Sequence, residues 1–191
     1  MIKQTQTRKE QIIEFYETRL KQMLSNDDLK RLLKDCKILE YKDLKNYNSL
    51  YDLLSKNIDY AIILIEFKQN QGHWCCLTRN NNNFYWFDSY GVKPDGELKF
   101  INSFMRKLLG ENNYDLTKLI KQTITQGGTF GYNKKKYQVL TDGINTCGKW
   151  VYIFIKLFLL DHNPSEFRTI MKQLKENNPE KPYDILICEY I

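Results

Sequence analysis

The chain has 191 residues, 42% hydrophobic and 14% aromatic, with four prolines and nine glycines. That composition excludes collagen-like, low-complexity and wholly disordered classes, and a chain of this size can bury about 70% of its unfolded surface without staples. Lys and Arg number 29 against 23 Asp and Glu, a formal net charge of +6, which permits an anionic partner without establishing one.

Taken in chain order, the first segment (MIKQTQTRKE) is polar and lacks the apolar core of a secretory signal. Ile12, Ile13, Tyr16, Leu20, Met23 and Leu24 then recur at helical spacing. Leu29, Leu32 and Leu33 follow a capping stretch at Ser25-Asn26-Asp27, which predicts a second helix. A third short helix is expected over Leu44 to Ser55, ending near Lys56-Asn57. The character changes at YAIILIEF (Tyr60 to Phe67), a continuous β-branched run that reads as a buried strand. HWCCLTR and NFYWFDS follow as two strands about an asparagine-rich turn at Asn80 to Asn83.

Helical spacing returns with Ile101, Phe104, Met105, Leu108 and Leu109, and again from Asp115 to Gln122. The glycine-containing loop QGGTFGYNKKK leads to an expected short strand at Tyr137 to Leu140. An apolar helix begins near Cys147, an amphipathic one covers Ser165 to about Lys175, and YDILICEY is expected to close the chain as a strand. The apolar run from Trp150 to Leu160, interrupted by Lys156, is too short to span a bilayer. Helices before and after a sheet, without regular alternation, predict an α+β fold. Its central mixed or antiparallel sheet is flanked by helices. One domain over residues 1–191 is expected, with 1–57 mainly helical and 58–191 forming the core.

The five cysteines are Cys36, Cys75, Cys76, Cys147 and Cys188. An odd count with two adjacent members argues against a disulfide framework and for a reducing compartment. No metal site is expected, because Cys75-Cys76 lack ligand spacing and no second Cys or His pair supplies it. GGTFG lacks a following Lys-Ser/Thr and is a poor phosphate loop.

Only two histidines exist. His162, just past an apolar helix and before Asn163-Pro164, reads as a C-terminal cap. His73 starts a core strand. A turn closing on Asn80/Asn83 or Arg79/Phe84 places Cys75 opposite Asp88, so His73, Cys75, Leu77, Phe84, Trp86 and Asp88 share one face. His73 and Asp88 are then diagonal neighbours, roughly 7–8 Å apart at the backbone and within reach of an imidazole–carboxylate hydrogen bond. Asn145 or Thr146 can cap the apolar helix, which sets Cys147 in its first turn. There free N–H groups and the helix dipole favour a thiolate. Gly148 leaves that backbone uncovered for a substrate carbonyl. A His, an acid and such a Cys make a nucleophilic triad. The Cys147 N–H and the side chain of Gln138 are the candidate oxyanion donors.

GHW at Gly72 to Trp74, FDSYG at Phe87 to Gly91, Gln138 and TCG at Thr146 to Gly148, in the order His–Asp–Gln–Cys, resemble the adenain-type viral endopeptidases. They also resemble the wider superfamily of ubiquitin-like-protein-specific cysteine proteases. Within it the likeness is greatest to maturation proteases of virophages and Polinton-like viruses, and it covers roughly Tyr60 to Leu160. The resemblance implies His73 as general base, Asp88 as its orienting acid, Cys147 as nucleophile and Gln138 as oxyanion donor, with Trp74 packed beside the histidine. It implies cleavage at Gly or small-residue sites of viral capsid or core precursors, in the virion and the host cytoplasm or viral factory, by a monomer without membrane association. A DNA or peptide activator is a further implication, while no cofactor is expected. Gln138 lies nine positions before Cys147 (147 − 138 = 9), longer than is usual in these enzymes, and an extra turn at Thr141-Asp142-Gly143 would absorb the surplus. Two other readings stand beside this one. The same chemistry could act on ubiquitin-like modifiers, or the chain could be a non-catalytic basic module binding nucleic acid weakly through Lys134 to Lys136 and the N-terminal Lys and Arg residues.

Overall fold

The computed structural model describes residues 7–34, 36–55 and 59–191. Two capping boxes start the chain. Thr7 and Glu10 bond reciprocally at the head of α1 (Arg8–Lys21), and Ser25 and Asp28 do the same for α2 (Asn26–Leu32). The helix expected over Leu44 to Ser55 is replaced by a 3-10 turn at Tyr41–Asn46 and a short α3 (Leu50–Leu53). Ser49 breaks the run by capping α3 through the Asp52 N–H. The expected end near Lys56-Asn57 lies outside the described residues. Just before this region Lys37–Glu40 forms β1, a strand that sequence pattern missed because four residues are too few to show a period.

The five-stranded sheet runs in sequence order, with β2 (Tyr60–Lys68), β3 (Gln71–Asn80), β4 (Asn83–Asp88) and β5 (Thr129–Tyr132) following β1. The three central strands are antiparallel, whereas β1 joins β2 and β5 joins β4 in parallel. The fold is therefore α+β with a mixed sheet.

Two cores form, one on each face. Ile62, Leu64, Trp74, Cys76 and Phe87 pack beneath α6 (Cys147–Phe158), α7 (Pro164–Glu176) and α8 (Tyr183–Cys188). Ile63, Ile65, Cys75, Leu77, Phe84 and Trp86 face the opposite way, against α3, the Tyr41–Asn46 turn and α5 (Asp115–Thr125). The short α4 (Ser103–Leu109) lies near β2 and leaves Phe104 and Leu108 exposed.

Two expected strands are corrected. Tyr137 to Leu140 is not a strand: the Tyr137 and Gln138 N–H groups share the single carbonyl of Ser89, and the Val139 N–H goes to the Asp184 side chain, so no ladder develops. The strand of this region lies earlier, at β5. YDILICEY is helical as α8, because helical spacing sets Asp184, Ile187 and Cys188 on one buried face, whereas a strand would split them. Pro182 stands at its N-terminal boundary, where a missing N–H costs nothing.

Candidate active site

The hairpin β3–β4 pairs Asn80 with Asn83, Arg79 with Phe84 and, at its far end, Cys75 with Asp88. That register sets His73 and Asp88 on one face, and His73 Nε2 lies 2.8 Å from Asp88 Oδ1. Both groups are sealed, at 6% and 0% exposure. The same Oδ1 accepts the Tyr90 N–H at 2.8 Å, so the carboxylate is fixed by two donors. The Asp88 main chain is anchored from outside the hairpin as well. Asn133 presents its side-chain amide as one more ladder rung, accepting the Asp88 N–H at 2.9 Å and donating to the Asp88 carbonyl at 2.6 Å.

β3 runs past the end of β4, leaving Gln71 to Trp74 without a β4 partner, and α6 starts in that space. Gly72 is required there, since a Cβ would sit 2.1 Å from the Ile65 carbonyl oxygen on β2. Cys147 is half-buried in the first turn of α6. The His73 ring and the backbone N–H groups of Trp74 and Gly148 lie against its sulfur and favour its charged form.

Thr146 does stand at the N-cap, but its hydroxyl donates to Asp184 Oδ1 and accepts from none of the helix N–H groups. Asn145 and Lys149 turn outward to α1. The Asn145 side chain donates to the Lys21 carbonyl at 3.0 Å, and Lys149 Nζ donates to those of Arg19 and Gln22 at 2.7 and 2.6 Å. These bonds satisfy the orphan carbonyls at the C-terminus of α1. The missing Cβ of Gly148 has a packing reason: it would meet Leu24 Cβ at 2.9 Å and Trp74 Cδ1 at 3.3 Å. The bare backbone expected there is covered by these two side chains.

The electrostatics separate the cysteines. Burial pushes the Cys147 thiol up, but the hydrogen bond and charge of His73, helped by the Trp74 and Gly148 N–H groups, hold it below the ordinary thiol value. Burial opposes a charged His73, yet the Asp88 carboxylate, through its charge and its hydrogen bond, and the contact with Cys147 raise it above the usual range. The pair therefore favours thiolate and imidazolium. Burial and the nearby Asp88 charge drive Cys75 far upward, and burial does the same for Cys76, so both stay protonated thiols. Cys75, Cys76, Cys147 and Cys188 carry free thiols.

Gln138 is buried at 1% exposure and one ring away from His73. Its Oε1 accepts from Ser89 Oγ at 2.7 Å, and its Nε2 donates to the Ile144 carbonyl at 3.1 Å and the Tyr90 hydroxyl at 3.3 Å. The Tyr90 ring stacks on His73 with centroids 4.3 Å apart, and burial pushes its hydroxyl up to about 12. Tyr90, not Trp74, is thus the ring against the histidine. Trp74 alternates to the other face, where its indole donates to the Leu24 carbonyl at 3.0 Å. The extra turn before Cys147 is present, closed by the Ile144 N–H on the Thr141 carbonyl with Gly143 at φ +83°.

His73, Cys75 and Asp88 place one ligand-type atom each within 4.8 Å of one another. The ring nitrogen nearest Asp88 is already engaged with the carboxylate, so that pair faces itself instead of a shared vertex. His162 lies away from this cluster. Its N–H donates to the Leu157 carbonyl beyond Asp161 at φ +63°, which closes α6 in a Schellman turn. In the basic loop, Lys135 donates to the Tyr183 hydroxyl at 2.9 Å, and Lys134 lies over the Tyr132 ring. No helix among the described residues is long and apolar enough to cross a membrane.

Ser89, Asn133 and Asp184 were missed by sequence reasoning. The Asp-Ser pair hinted at Ser89, while nothing local marks the other two.

No known family profile matches the chain. It is 33% identical to the uncharacterized protein V9 of Sputnik virophage over 151 residues, 78% of this chain and 82% of that protein. Among solved structures it is similar to the ASFV pS273R protease, with TM-score 0.43, 12% identity, and coverage of 78% of this chain and 63% of that one.

Proposed function

The chain belongs to the family of the Sputnik virophage protein V9, and for it we propose the activity of a cysteine endopeptidase. The observation that carries this reading is the buried His73–Asp88 pair with the half-buried Cys147 against the same imidazole. In the proposed reaction the Cys147 thiolate attacks the scissile carbonyl, and the oxyanion that forms accepts from the Cys147 N–H. Gln138 supplies the second donor by swinging the N–H now on the Tyr90 hydroxyl, the longer of its two bonds, toward the oxyanion. His73 then gives its proton to the departing amine, leaving a thioester on Cys147. Water, deprotonated by the now neutral His73, hydrolyses the thioester and releases the carboxylate product. Asp88 holds the ring and offsets its charge throughout.

The proposed substrates are capsid or core precursors cut at Gly or other small residues during virion maturation. The virophage relative and the likeness of the His, Asp and Cys segments to adenain-type enzymes support this choice. Co-expression with the cognate capsid precursor tests it. Wild type should yield the processed form, and Cys147→Ala should yield none while its circular dichroism matches wild type. Processing that continues in Cys147→Ala would overturn the proposal.

A further inference from the structure

One buried carboxyl beside the relay has no role so far. Glu97 sits on the 3-10 turn Gly96–Phe100 and is 9% exposed. Its Oε1 and the second oxygen of Asp88, Oδ2, are both sealed from water, and neither accepts from any N–H or O–H among the described residues. The two carboxyl groups lie within hydrogen-bond reach of each other. Two ionised carboxylates so placed would repel, and each would leave a buried acceptor unsatisfied. A single proton between them removes both costs.

That proton has a preferred owner. Asp88 Oδ1 already has two partners, His73 and the Tyr90 N–H. Among the described residues no pair of donors reaches Glu97 Oε1. We propose that Glu97 is protonated at neutral pH and donates its O–H to Asp88 Oδ2, positioning the acid that orients His73.

Burial raises Glu97 to about 8; the His73 charge lowers it, Asp88 raises it and Lys99 on its own turn lowers it. Cys75 on β3 and Tyr90 after β4 also feel its charge. Ionisation above that pH would put a second negative charge beside the imidazolium and push the two carboxylates apart. His73 would then part less readily with the proton that the departing amine needs.

What the contact does rests on the endopeptidase reading, but the proton itself does not, so the test has two arms. Infrared difference spectra of wild type in D₂O should show a protonated-carboxyl C=O band at pH 7 that fades as pH passes about 8. Glu111, which burial raises to about 7, contributes a band of its own, so the signal is read as wild type minus Glu97→Gln. No protonated-carboxyl band in that difference at pH 7 overturns the proposal even if no peptidase activity is ever found. In the second arm Glu97→Gln, which still donates an N–H to Oδ2, should keep kcat/KM within about threefold at pH 7 and lose the alkaline decline. Glu97→Leu, which cannot donate, should lose about ten- to hundredfold, the fold-change of one hydrogen bond to a charged group. Equal losses in both variants with an unchanged pH profile would reduce Glu97 to a packing residue and overturn the proposal.

Discussion

The two halves of the candidate site are held by different physics. His73 and Asp88 ride on the β3–β4 hairpin, where six consecutive residue pairs fix position through the main chain. Cys147 follows a segment, residues 133–146, that has no ladder of its own. This segment hangs from side chains and single carbonyls: Ser89 holds Tyr137 and Gln138, Asp184 holds Val139 and Thr146, and Asn145 reaches α1. On the hairpin a side chain can change its chemistry without changing its place. In the loop, chemistry and place are the same bonds.

Asp88→Asn probes the hairpin half and carries the largest expected effect. The Asp88 backbone stays paired with Cys75 and clasped by the Asn133 amide, so the fold should be unaltered by circular dichroism. The charge that helps keep His73 protonated is gone, so the ring loses affinity for its proton and the Cys147 thiol drifts up toward its ordinary value. The sign is then fixed. Cys147 alkylation by iodoacetamide should slow most at neutral and acidic pH and recover at alkaline pH, while peptide kcat/KM falls by about 10²–10⁴. Alkylation that keeps its wild-type pH profile would mean that the carboxylate does not feed the thiol.

Asp184→Ala probes the loop half. Asp184 accepts from the Val139 N–H at 2.9 Å, from Trp150 Nε1 at 3.2 Å and from the Thr146 hydroxyl. Truncation strands three donors, two of them on α6 or its cap, and should cost about 3–9 kcal/mol before relaxation, at about 1–3 kcal/mol per stranded group. Chemical denaturation measures the loss, and the rate of Cys147 alkylation should fall with it although Asp184 touches no reacting atom. A loss under about 1 kcal/mol would show that water replaces these bonds and that the loop is less dependent on Asp184 than its bonds suggest.

The same contrast explains what could be read from sequence. Period-two alternation about an Asn-rich turn is a local signal, and it yields the His73–Asp88 diagonal in both registers considered. The capped apolar run yields Cys147 in the first turn of α6. Asn133, Asp184 and Lys149 were opaque because their partners lie 45, 45 or 38, and 130 or 127 residues away. No window along the chain holds both ends of such a bond. α8 was misread because ILIC carries strand-forming residues. Its helix is imposed by burial of Asp184, Ile187 and Cys188 together, a tertiary override of propensity. Glu97 was invisible for a simpler reason: an acidic residue between Gly96 and Leu98 looks like a solvated turn until the fold seals it.

Asn81→Gly carries the smallest expected effect and tests the hairpin's independence from side-chain chemistry. Asn81 holds φ +55° in the turn, a conformation that glycine adopts freely. Glycine relieves the native strain but adds freedom to the unfolded chain, so the two terms nearly cancel and stability should move by no more than about 0.5 kcal/mol. The pairing of Cys75 with Asp88 lies at the opposite end of the ladder, five pairs beyond Asn80/Asn83, and every pair between them must slip before His73 moves. A one-residue slip of β4 would also turn Phe84 and Trp86 out of their core, a cost far above anything the turn can supply. Peptidase activity and Cys147 alkylation should therefore match wild type. A drop of more than about twofold in either rate, with stability unchanged, would mean that the turn and not the ladder sets the register of the site.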